Sequence, residues 1–93
     1  MSEQLGYPPD LRSRYEKVAE VLRDRGFEFM KDISMGVPGI NWHYWDKDEI
    51  TILVICVGDR AHQFRLLVNG NLKAVYLRLS HIFKYLEQHG WGG

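Results

Sequence analysis

The stretch Ile50-Thr51-Ile52-Leu53-Val54-Ile55-Cys56-Val57 constrains this chain more than any other. It is rich in β-branched residues and reads as a strand. Successive side chains of a strand point to opposite faces. Ile50, Ile52, Val54 and Cys56 then face one way, and Thr51, Leu53, Ile55 and Val57 the other. A sheet covered on one face normally alternates apolar with polar. This strand is apolar on both sides and needs cover on both. The chain has 93 residues, enough for one domain and one core. Two modest helices from such a chain do not wrap both sides of a sheet. Either they straddle it, or another copy or another protein closes the second face.

Neighbouring segments supply the rest of a meander. Asn41-Trp42-His43-Tyr44-Trp45 has high strand propensity and is aromatic on both faces, Trp42 and Tyr44 on one, His43 and Trp45 on the other. Asp46-Lys47-Asp48 reads as a turn, and Gly58-Asp59 as a tight connection. Ala61 to Val68 returns with Phe64, Leu66 and Val68 on one side and Gln63 and Arg65 on the other. Upstream, Phe27 to Ile33 alternates imperfectly and reads as a short strand, Phe27, Phe29 and Lys31 pointing one way. The loop Ser34 to Ile40 follows it.

Helices are expected at both ends. Leu11, Tyr15, Val18 and Leu22 form one amphipathic stripe, with Asp10 as N-cap and Gly26 as the stop. At the other end two signals conflict. Asn69-Gly70 is a hairpin signal that makes Asn71 to Arg78 a strand, with Ser80 capping a short helix behind it. Yet Leu72, Val75, Tyr76, Leu79, Ile82, Phe83 and Leu86 keep helical spacing without a gap, and Gly90 closes the pattern. The reading preferred on this stripe is one helix from about 72 to 88. The expected fold is α+β: a helix, a three- to four-stranded antiparallel meander and a C-terminal helix, in α-β-β-β-α order. Residues 1–9 read as an N-terminal arm because of Pro8 and Pro9, residues 10–90 as the domain, and residues 91–93 as a tail.

Charge and chemistry exclude more than they assign. Basic and acidic residues number twelve each. Residues 1–50 carry −3 and residues 51–93 carry +3, a polarity that matters only if folding keeps the halves apart. The single cysteine, Cys56, offers no intrachain disulfide. No signal-peptide pattern opens the chain, and no run is long enough to span a bilayer, so a cytoplasmic location without membrane association is expected. Asp46, Asp48 and Glu49 match no cation loop. His43, His62, His81 and His89 have no zinc spacing. Cys56 lies mid-strand in the most apolar stretch, where a thiol has little nucleophilic character. No catalytic residue, metal site or cofactor is expected.

What remains is surface. Large aromatics beside aliphatics on a partly open sheet have the character of interface anchors. The functional expectation is a non-enzymatic protein-interaction module, a regulator, adaptor or inhibitor that also self-associates as a homodimer. Its partner-binding residues are expected to be Trp42, Tyr44, Trp45 and Phe64. The alternative is nucleic-acid binding by a basic face of the last helix, through Lys73, Arg78, His81 and Lys84.

Overall fold

The computed structural model describes residues 14–34 and 36–90. Helix α1 (Tyr15–Asp24) is followed by β1 (Glu28–Ser34), β2 (Ile40–Lys47), β3 (Ile50–Val57), β4 (Arg60–Val68) and β5 (Asn71–Tyr76), and helix α2 (Leu79–Gln88) closes the chain. The five strands form one antiparallel sheet in sequential order. The α+β class and the order of elements match the expectation, with one strand more than three to four. The arm at 1–9, the Asp10 cap, the first helical turn from Leu11 and the tail at 91–93 lie outside the described residues.

Helix α1 starts at Tyr15 because Arg14 is extended, with ψ 141°. Its carbonyl already accepts from the Val18 amide, while the Tyr15 amide donates to the Asp59 carbonyl at 2.8 Å. The helix ends where Gly26 stops it. The Gly26 amide donates to Arg23 and the Phe27 amide to Leu22 at 2.9 Å, with Gly26 at φ 89°. That is the left-handed stop with doubled-back bonds that satisfies the last carbonyls.

At the C-terminal end the hairpin signal prevails over the helical stripe. Asn69 and Gly70 take φ 52° and 82°, the paired positive values of a two-residue hairpin turn. Asn71 to Tyr76 is therefore a strand, and the single helix from about 72 to 88 is not formed. A register irregularity between Leu66 and Leu67 places Leu72 and Val75 on one face and Ala74 and Tyr76 on the other. Apolar residues on both faces of a short strand imitated a helical period. Ser80 is not the cap of α2. Arg78 occupies that position without a side-chain bond. The first hairpin also differs: Asp46 and Lys47 pair within β2, and the turn is Asp48-Glu49, with Asp48 at φ 56°.

Both helices lie on one face of the sheet. Val18, Ala19 and Leu22 of α1 and Ile82, Phe83 and Leu86 of α2 join a single core with Trp45, Ile52, Val54, Cys56, Phe64 and Leu66. The Arg25 guanidinium lies over the Phe83 ring at 4.1 Å, where the end of α1 meets α2. The helices do not straddle the sheet, so the second apolar face of β3 has no cover among the described residues.

Candidate functional site: the open face of the sheet

Strand register lays out the uncovered face row by row. The middle row runs Lys31, Tyr44, Leu53, Arg65 and Val75 across β1 to β5. On one side of it lie Ile33, Trp42, Ile55 and Gln63, and beyond them Ile40, Val57 and Arg60. On the other side lie Glu28, Asp46, Thr51, Leu67 and Leu72. The face is mostly apolar, and its charges sit on β1, β2 and β4, with none on the central β3. Ile33, Val57, Leu72 and Val75 are among the exposed large hydrophobic residues of the molecule.

Cations cap the two aromatic rings of this face. The Lys31 ammonium lies 5.2 Å from the Tyr44 ring centre, and the Arg65 guanidinium 5.2 Å from the Trp42 ring centre. Arg65 Nε also donates to Gln63 Oε1 at 3.0 Å. Such pairs hold ring and cation in one arrangement and contribute about 0.5–1 kcal/mol each where exposed. Leu53, ringed by Tyr44, Arg65, Ile55 and Thr51, is only 4% exposed although no helix covers it. The centre of the face is thus preformed and nearly dry, inside a half-exposed rim.

The expected partner-binding set divides between the two faces. Trp42 and Tyr44 are half-buried on the open face. Trp45 and Phe64 are 1% and 2% exposed within the helix-covered core. A partner reaches neither without opening the core, so they do not belong to the accessible surface. Alternation had already placed Trp45 opposite Trp42, but nothing in the sequence said which face the helices take. Lys31 and Ile33 were missed for another reason. A bulge between Phe29 and Lys31 shifts the register, so Phe29 lies with Trp45 while Lys31 turns to Tyr44. Leu53 and Ile55 carried a legible signal, their place opposite Ile52 and Val54 on β3.

Beneath α1, Tyr15 stacks on His43 with ring centres 4.2 Å apart, and its hydroxyl accepts from Trp45 Nε1 at 3.1 Å. Burial raises the Tyr15 hydroxyl above its ordinary value, partly offset by that bond. Burial lowers the pKa of His43, against a smaller opposing pull from Asp32, its cross-strand neighbour. His43 Nδ1 has no hydrogen-bond partner among the described residues. Burial also pushes the Cys56 thiol up to about 11. Among the described residues no three of His, Cys, Asp and Glu are grouped to hold a metal ion.

The alternative basic set is dispersed. Lys73 is on β5, Arg78 precedes α2, and only His81 and Lys84 belong to that helix. All four are exposed, and His81 meets the Tyr76 ring edge-on at 5.7 Å. The basic helix face expected from one continuous helix is therefore split by the strand at 71–76. No helix among the described residues is long and apolar enough to cross a membrane. Comparison with protein-family models, with curated proteins and with solved structures gave no match.

Proposed function

We propose that this chain is a small, non-enzymatic protein-interaction module, a regulator, adaptor or inhibitor, that docks through the open face of its sheet. The observation that carries the reading is the apolar second face of β3. It is extended across the sheet by Trp42, Tyr44, Leu67 and Val75 and left uncovered by two helices that share the other face. An apolar patch of several hundred Å² rimmed by polar groups is characteristic of an interaction site. Leu53 and the two capped rings supply a preformed centre, and preorganised anchors limit the entropy lost on binding. The nucleic-acid reading has less support, since its four basic residues are spread over a strand, a helix cap and a helix.

The test is affinity capture from native cell extract, followed by mass spectrometry, with and without nuclease. Wild-type protein is expected to retain protein partners after nuclease treatment, and the Trp42→Ala/Tyr44→Ala double variant to lose them while keeping its circular dichroism spectrum. Retention that vanishes with nuclease, or that is unchanged in the double variant, would contradict the reading.

A further inference from the structure

Resting on that reading, we infer that the occupant of the open face is a second copy of this chain, stacked face to face about a two-fold axis that runs along β3. Three observations converge on it. The first is the absence of charge on β3, the only strand of the five without an ionisable side chain other than the buried Cys56. In a symmetric face-to-face pair the central strand meets its own copy, and any charge there would oppose itself. Thr51, Leu53, Ile55 and Val57 present nothing to repel. The helix-covered core explains Ile52 and Val54, but gives no reason for Leu53, Ile55 and Val57 to be apolar.

The second observation is the charge polarity of the open face. Sequential strand order places β1 and β2 on one side of β3 and β4 and β5 on the other. On the open face β1 and β2 carry Glu28, Lys31 and Asp46, a net −1, and β4 carries Arg60 and Arg65, a net +2. An axis along β3 lays β1 and β2 of one copy over β5 and β4 of the other. Rows are kept about this axis, so Glu28 and Asp46 come over Leu72 and Leu67, one row from Arg65, and Lys31 comes over Val75. Arg65 comes opposite Tyr44 of the second copy, so one guanidinium lies near aromatic rings of both. An in-plane axis across the strands would instead lay each half on its own kind.

The third is area. Five strands about 4.8 Å apart and some eight residues long, at about 3.3 Å per residue, give a face of roughly 600 Å². Two such faces bury about 1,200 Å², the lower bound for a specific association, so a weak, concentration-dependent dimer is expected. Stacked sheets of equal twist align within about 30° at a separation of about 10 Å, a spacing that interdigitating apolar side chains fill.

The experiment is analytical ultracentrifugation of the full chain from about 1 µM to about 500 µM, a range wide enough to reveal a weak dimer. Wild type is expected to pass from monomer to dimer. Ile55→Lys and Ile55→Glu should each weaken the dimer at least tenfold, because each opposes like charges across the axis. Mixed in equal amounts, the two should recover a dimer containing one of each. Val57→Lys and Val57→Glu repeat the test at the exposed end of the strand, where a charge does not threaten folding. Dissociation by the single charges with recovery on mixing supports the proposal. Three results would overturn it: a monomer throughout, a dimer indifferent to both positions, or a dimer lost and not recovered on mixing. So would a monomer that gains mass only with a single-stranded oligonucleotide. A monomer that still captures proteins through Trp42 and Tyr44 would overturn the second copy as occupant and leave the interaction module standing.

Discussion

Trp42 and Trp45 stand three residues apart on β2 and experience different environments. Trp45 lies on the helix-covered face, its ring edge-on to Phe29 and its indole N–H bonded to Tyr15. Trp42 lies on the opposite side, half-buried, with the Arg65 guanidinium 5.2 Å from its ring centre. The two faces are about equally apolar along β3, yet only one is used to hold the chain together. Apolar residues in a small sheet therefore serve two purposes, and the helices decide which residue serves which.

Substitutions separate the two faces by the size of their effect. Trp45→Ala is expected to be the most damaging, since removing a large buried aromatic costs about 3–5 kcal/mol. In a domain whose total stability is about 5–15 kcal/mol, urea titration should show a large loss of midpoint. A Trp45→Ala variant as stable as wild type would mean that Trp45 is not a core residue. Tyr15→Phe keeps the stacking on His43 but leaves the Trp45 indole N–H without its acceptor. A loss of about 1–3 kcal/mol is expected in the same titration. On the open face, Trp42→Ala should cost only about 1 kcal/mol, the lost cation–ring pair and partial burial together. A cost equal to that of Trp45→Ala would erase the distinction between the faces.

The pH dependence sharpens the same contrast. The folded pKa of His43 is lowered from 6.5 by burial under Tyr15. Below 6.5 the unfolded chain takes up a proton that the folded chain resists. The contribution is therefore present in full above pH 6.5 and is lost as the pH falls through 6.5 towards the lowered value. Stability measured between pH 7.5 and 5.5 should decline, and His43→Phe should flatten the decline; these are experimental bounds of about one unit either side of 6.5. The smallest effect concerns Cys56. With its pKa near 11, little thiolate exists at pH 8. Thiol reagents should label it only on unfolding, and fast labelling of the folded protein would place it outside the core.

Much of the fold is legible in the sequence, for reasons that lie in particular residues. The demand of β3 for cover on both faces followed from Ile50 to Val57 alone. The stop at Gly26 followed from its freedom to take positive φ. The fate of residues 71–78 did not follow from periodicity, because a strand apolar on both faces and interrupted by a bulge has no period of two. There the turn chemistry of Asn69-Gly70 was the better guide. The candidate site was half legible. Trp42 and Tyr44 do lie on the open face, while the place of Lys31 and Ile33 there was hidden by the bulge after Phe29. Trp45 and Phe64 were assigned outward because the side taken by two helices is a tertiary choice that no local pattern encodes.

The account is tested most directly by following backbone amide and tryptophan indole resonances as the protein is concentrated or titrated with a captured partner. The indole of Trp42 and the amides of β3 and of Arg65 are expected to shift, while the indole of Trp45, held by Tyr15 in the core, stays in place. Shifts confined to α1 and α2 with Trp42 unmoved would contradict the claim that the open face is where this protein docks.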